Sequence, residues 1–191
     1  EIKGAGTLLG TRQSCHISSI GFDLYTKLLS EAVEEVKGKR SGETVKQKTH
    51  IPEPIIILPL PAFIPACYLE DESMRLSFYQ RMSSLNNLEE LENLAFEMYD
   101  RFGQLSEELN NLFYKLRLRM LARSAGVSSV IAGGDKITIS PYEGLFFNKQ
   151  KLESLDCTNI QVNARRIQIT TNLDDAGWKQ LLEVILTSGI I

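Results

Sequence analysis

The sequence predicts an α+β fold: a helical segment with a small mixed or antiparallel sheet, hairpins and a C-terminal helix. Three observations carry that expectation. Apolar residues recur at helical spacing in three consecutive stretches between Met74 and Leu121. Short alternating apolar runs then flank turn residues, and a last helical stripe runs from Trp178 to Leu186. Helices in a row followed by hairpins do not make a doubly wound parallel sheet.

The elements follow in order. Residues 1–21 are rich in Gly and Ser without a clean period and read as loops. Phe22, Tyr25, Leu28, Leu29, Ala32, Val33 and Val36 recur at helical spacing, with Gly38 as a stop. Residues 38–51 hold almost no apolar side chain and read as a flexible linker. Ile55-Ile56-Ile57-Leu58 reads as a strand that Pro54 and Pro59 keep near an edge or end of its sheet. After a proline-punctuated loop, Asp71 caps a helix whose Met74, Phe78, Met82 and Leu85 face inward. Asn87 with Glu90 is a capping box, opening a helix that buries Leu91, Leu94, Ala95, Met98 and Phe102 before Gly103 ends it. Ser106 caps a third helix and puts Glu107 and Glu108 in its positive first turn. Leu109, Leu112, Phe113, Leu116, Met120 and Leu121 form its inner face, and Gly126 closes it. Gly133-Gly134-Asp135 joins two strands as a hairpin. Ile160, Val162 and Ala164 alternate in one parity, Ile167 and Ile169 in the other. That flip requires a tight hairpin or a bulge across Arg165-Arg166. Asp174 can start the last helix, with Trp178, Leu181, Leu182, Ile185 and Leu186 inward.

Composition narrows the function. The chain has 191 residues, is 43% hydrophobic and 24% charged, and fits one or two small globular domains. A net charge of -3 argues against a whole-surface nucleic-acid binder, though not against a local basic strip. No apolar run approaches the roughly 20 residues of a membrane helix, and no secretory segment opens the chain. The first residue is Glu1, inside a Gly-rich motif, which reads as a cut from a larger polypeptide. Cys15, Cys67 and Cys157 are scattered and form no ligand-spaced cluster with His16 or His50. No disulfide framework or zinc site is expected, and a reducing cytoplasm is the expected compartment.

No self-contained enzyme is visible. A phosphate-cradling Gly-x-x-x-x-Gly-Lys-Ser/Thr loop is absent from the sequence. Gly4-Ala5-Gly6 with Gly10 imitates a dinucleotide fingerprint, but its third glycine is one place late and no βαβ unit follows. Cys15-His16 has the residue types of a nucleophile and base, yet sequence neighbours rarely face one another. Glu89, Glu90, Glu92 and Glu97 read as the solvated face of their helix. Lys115, Arg117, Arg119 and Arg123 could meet DNA or an acidic partner, or merely cover the edges of the core.

Glu1-Ile2-Lys3-Gly4-Ala5-Gly6, then Leu8-Leu9-Gly10 and Gln13-Ser14, resembles a motif shared by transcription-repair coupling factors and RecG branch-migration helicases. There it joins the second RecA-like domain and converts ATP hydrolysis into translocation along duplex DNA. The resemblance implies that Lys3 and Gln13 contact DNA or relay nucleotide state. Lys3 stands where that family usually has Arg, and Cys15 where it usually has Gly; Lys keeps the charge but lacks the bidentate fork. The RecG likeness ends here. The coupling-factor likeness continues through Ile20-Gly21-Phe22-Asp23-Leu24-Tyr25, Phe63-Ile64-Pro65, Tyr68-Leu69, Arg75-Leu76 with Tyr79 and Arg81, and Asp100-Arg101-Phe102-Gly103.

That resemblance implies three parts: the end of the motor's translocation motif and a post-motor helix (1–37), a flexible linker (38–51), and a regulatory docking domain (52–191). It implies no catalytic residue, metal or cofactor in this segment, with ATP and magnesium held by the parent's motor. Its partner would be the N-terminal UvrB-like module of the same chain, docked through Glu97, Asp100 and Arg101. Asp100 and Arg101 serve equally well as residues that fix the turn into Gly103. The parent would bind double-stranded DNA, RNA polymerase and UvrA, release polymerase stalled at lesions and recruit UvrA, and it would have no membrane partner. Three rivals remain: an independent nucleic-acid- or protein-binding module, a cysteine hydrolase using Cys15, and, by resemblance of the first block alone, a RecG-type helicase fragment.

Overall fold

Ile55, Ile56 and Ile57 form a short strand, β1 (Ile55–Ile57), at the edge of a five-stranded sheet, as expected from the flanking prolines. The computed structural model describes residues 52–153, 159–171, 177–188 and 191. Lys3, Gln13, Cys15, the translocation motif with its post-motor helix, and the linker at 38–51 lie outside the described residues. The described chain falls into two compact units, one holding Pro61–Phe113 and the other Ile51–Leu60 with Tyr114–Ile191.

The helical unit starts with α1 (Glu72–Ser84). Asp71 caps it: its Oδ1 accepts from Met74 N–H at 2.9 Å and from the Ser73 hydroxyl at 2.6 Å. Those two bonds, the hydroxyl's first, hold the Asp71 carboxyl below its usual range. The expected stripe is half right. Phe78 and Met82 are buried, Met74 and Leu85 only partly, and Arg75 and Tyr79 complete the inner face. Positions 75, 78, 79 and 82 are the i, i+3, i+4, i+7 stripe, so two polar side chains sit where apolar ones were expected. Each has a partner. The Tyr79 oxygen accepts from Ile64 N–H at 2.8 Å, and Arg75 Nη1 donates to the carbonyls of Leu69 at 2.6 Å and Glu70 at 2.9 Å. Both residues therefore fasten the proline-punctuated loop that precedes the helix.

The next helix, α2 (Leu88–Phe102), opens on the expected capping box. Asn87 Oδ1 accepts from Glu90 N–H at 2.8 Å. The Glu90 carboxylate reaches back to the Asn87 side-chain amide and to Asn86 N–H, both at 2.9 Å. Gly103, at φ 86°, ends the helix, and its N–H donates to Tyr99 O at 2.9 Å. Ser106 caps α3 (Glu107–Ser124) by accepting from Leu109 N–H at 3.3 Å.

Burial along α3 changes sides. Leu109, Leu112, Phe113 and Leu116 are buried as expected, whereas Met120 and Leu121 are only partly so. Leu118 and Ala122, opposite that stripe, join the core of the sheet-bearing unit instead. A single inner face extrapolated from the first turns therefore fails in the later ones.

The sheet contains β1, β2 (Val127–Gly133), β3 (Lys136–Pro141), β4 (Ile160–Asn163) and β5 (Arg166–Thr170), in the order β1-β2-β3-β5-β4. β1 runs parallel to β2 and every other pairing is antiparallel, so the sheet is mixed. The first hairpin turns at Gly134-Asp135, with Gly133 opposite Lys136 and Gly134 at φ 60°. The parity flip resolves as a second hairpin: Asn163 faces Arg166 and Ala164-Arg165 make the turn. Val130, Ile137, Ile139, Ile167 and Ile169 face a core closed by Trp178, Leu182, Ile185 and Leu186 of α5 (Gly177–Thr187). The short α4 (Lys149–Glu153), which no periodicity announces, lies between β3 and β4.

Replacing Tyr79, 1% exposed, by Phe would leave the Ile64 N–H buried without an acceptor. Tyr79→Phe is expected to lower stability by about 1–3 kcal/mol in chemical denaturation; an unchanged midpoint would show that this bond does not hold the loop.

Candidate functional site

The proposed docking residues lie on the last turns of α2, and a carboxylate organises them. Glu97 Oε1 accepts from Arg81 Nη1 of α1 and from Arg101 Nη1 of its own helix, both at 2.9 Å. Arg81 Nη2 bonds the second carboxylate oxygen, so that pair is bidentate. The Arg101 pair has the i, i+4 spacing that favours contact on a helix.

Aromatic rings lie beneath the charges. The Arg81 guanidinium lies 5.2 Å from the Phe78 ring centroid, and that of Arg101 lies 5.0 Å from Phe102 and 5.8 Å from Phe78. Phe102 meets Phe78 edge-on at 5.7 Å and Tyr68 at 6.1 Å. The Tyr68 hydroxyl donates to Met98 O at 2.9 Å and Gly103 O at 3.2 Å. The C-terminal end of α2 is thus pinned from the loop side by Tyr68 and from the α1 side by Arg81.

The structure brings Glu97 and Arg101 together and leaves Asp100 apart. Asp100 is exposed, with no side-chain hydrogen bond or ion pair among the described residues. Arg81, which the sequence comparison matched without giving it a role, is the residue that joins the cluster from another helix. Sequence spacing along α2 alone could not reveal it. Two further residues also escaped the sequence reading. Phe96 is 70% exposed, opposite the buried Leu91, Leu94 and Met98, and Tyr99 is 56% exposed on the flank of that stripe. A helical projection of that buried stripe would have marked them.

The basic strip on α3 is largely engaged within the sheet-bearing unit. Arg117 Nε lies 3.4 Å from Glu183, and Arg123 Nη1 lies 3.0 Å from Glu53. Lys115 and Arg119 are partly buried and also make interactions. This pattern is that of long side chains covering core edges. Among the described residues no group of His, Cys, Asp and Glu could hold a metal ion, and no helix is long and apolar enough to cross a membrane.

The α+β fold is that of a known C-terminal domain. The solved C-terminal domain of a transcription-repair coupling factor superposes with a TM-score of 0.59 at 21% identity, covering 72% of this chain and 89% of that one. Residues 58–153 match the family model described as the TRCF domain, and the chain belongs to that family. Curated transcription-repair-coupling factors are similar in sequence. The protein of Bacillus subtilis strain 168 is 37% identical over 156 residues, covering 81% of this chain and 13% of the relative. That of Haemophilus influenzae is 42% identical over 136 residues, covering 70% and 11%. That of Escherichia coli K12 is 37% identical over 139 residues, covering 71% and 12%. The chain therefore spans only a small part of these relatives' length.

The Arg81 hydrogen bonds, reinforced by Arg101, hold the Glu97 carboxyl at about 2, below its ordinary 4.5. A depressed carboxyl contributes stability that is present above about 4.5 and is lost as pH falls toward about 2. Glu97→Gln is expected to flatten the pH dependence of unfolding in that window; identical slopes for both proteins would show that Glu97 is not held in this way.

Proposed function

We propose that this chain is the regulatory C-terminal part of an ATP-dependent DNA translocase that couples transcription to nucleotide excision repair. In this reading the α2 face packs against the N-terminal UvrB-like module of the same polypeptide. It hides the surface that recruits UvrA until RNA polymerase, stalled at a lesion, is engaged and released. Residues 1–37, with Lys3 and Gln13, complete the motor's DNA-engaging element, and 38–51 tether the docking domain to it. ATP and magnesium act in the motor, upstream of these residues, and the protein works on duplex DNA in the cytoplasm.

The arrangement of Glu97, Arg81 and Arg101 carries this reading. A carboxylate clasped between two helices is a positioning element, and beside it Asp100 has no internal partner among the described residues. Exposed charges of this kind tune specificity and association rate more than fold stability. A nucleic-acid-binding module is less well supported, because Arg117 and Arg123 of the basic strip are already paired with acids.

Asp100 gives the cleaner test, since Arg101 also supports Glu97. Asp100→Arg in the complete polypeptide is expected to raise its affinity for UvrA about tenfold, or roughly 1.4 kcal/mol, with its melting temperature unchanged. Equal affinities in a binding titration would sink the masking role.

A further inference from the structure

The five-stranded sheet has two faces of opposite character. Ile137, Ile139, Ile167 and Ile169 turn toward the core that α3 and α5 close. Side chains alternate along a strand, so Lys136, Thr138 and Ser140 of β3 and Arg166, Gln168 and Thr170 of β5 face the other way. Gln161 and Asn163 of β4 join them, because Ile160 and Val162 pack on the core. Strand pairing sets Thr138 beside Gln168, Gln168 beside Gln161, and Arg166 beside Asn163. Across β3, β5 and β4 every side chain of this outer face can donate a hydrogen bond. None is a carboxylate or an aromatic ring.

Charge on this face has one sign. Lys136 and Arg166 are exposed, and neither enters an ion pair among the described residues. Arg165, in the turn before β5, lies 5.9 Å from the Phe146 ring centroid and adds a third cation beside Arg166. Asp135, next to Lys136, is the one acid in the two hairpin turns. Residues 51–60 with 114–191 hold ten Lys and Arg against eight Asp and Glu, whereas 1–50 with 61–113 hold eleven against sixteen. The sheet-bearing unit is thus the positive part of an acidic chain, and donors with cations complement a polyanion. Lys136 faces Thr170, four positions along β5 from Arg166, so the two charges stand roughly 14 Å apart. That is close to the width of a B-DNA major groove, about 12 Å, and lets the pair reach phosphates on both of its sides.

We infer that this outer face is a contact surface for the backbone of duplex DNA. Lys136, Arg165 and Arg166 meet phosphates, and the amides and hydroxyls between them bond phosphate and sugar oxygens. Contacts of this kind position a protein on the helix without reading its sequence. The lack of aromatic rings on the face selects a duplex, because single strands are held largely by bases stacked on such rings. The inference goes beyond the docking reading, concerns the other compact unit, and stands whether or not α2 docks. It is also separate from the basic strip on α3, whose Arg117 and Arg123 are paired with acids.

The test follows binding of a labelled duplex oligonucleotide to the 191-residue chain by fluorescence anisotropy across a salt series. Lys136→Glu combined with Arg166→Glu is expected to weaken binding about tenfold or more and to flatten the log–log salt slope by about 2. Gln161→Glu adds a negative charge with almost no change of shape and removes no cation; it is expected to weaken binding severalfold. Melting temperatures check folding, and if the double reversal shifts its own, Gln161→Glu carries the comparison. The same ratios are expected in a Lys3→Ala background, which separates this face from the motif at residues 1–37. No binding at low salt, or equal affinities and slopes for all the variants, overturns the inference. Tighter binding of a single strand overturns the assignment to a duplex, and tighter binding of poly-glutamate assigns the face to an acidic protein instead.

Discussion

One carboxylate between two guanidinia fixes the side of the helical unit on which function is proposed to act. Glu97 is reached by Arg81 from α1 and by Arg101 from one turn further along α2, so the rotation of α2 about its axis is set by a directional contact as well as by packing. Its energy is modest: a half-exposed ion pair contributes on the order of 0–1 kcal/mol. Its geometry matters more. With Glu97 tied to Arg81 and Arg101, Phe96, Tyr99 and Asp100 are among the side chains α2 exposes to its surroundings.

The same logic extends below the surface. Phe78 and Phe102 support both guanidinia, and Tyr68 binds the carbonyls at the end of α2. A loop, two helices and a glycine turn therefore converge on a few side chains. Arg75 and Tyr79 extend that convergence into the core by spending buried polar groups on loop backbone. Buried polar groups with full partners specify one arrangement, because any alternative leaves them unpaired.

Local signals made much of this fold legible in the sequence. Asp71, Asn87 with Glu90, Ser106, Gly103 and the Gly134 turn are each governed by residues within a few positions, and each appears where the sequence puts it. What depends on distant partners was not legible. Arg75 and Tyr79 look like surface residues until the loop carbonyls and the Ile64 N–H that they serve are in place. Leu118 and Ala122 look like the outer side of a helix whose first turns bury the other face. At the candidate site, Glu97 and Arg101 are neighbours by spacing, whereas Arg81 arrives from another helix. Phe96 was visible in principle, since it opposes a clear apolar stripe. The parity rule alone allowed either a bulge or a hairpin at Arg165, and only pairing across β4 and β5 decides between them.

The parallel pairing of β1 carries a mechanical meaning. Three residues, Ile55 to Ile57, lie against Ser129 to Ile131, roughly 70 positions later, so their ladder closes a long loop and has a neighbour on one side only. Just ahead of β1, Pro52 O accepts from the Tyr142 hydroxyl and Glu53 pairs with Arg123, so the strand is tied at its start as well as along its ladder. A three-residue ladder at a rim has few bonds to lose, so local opening of β1 would leave the register of the antiparallel strands beyond it intact.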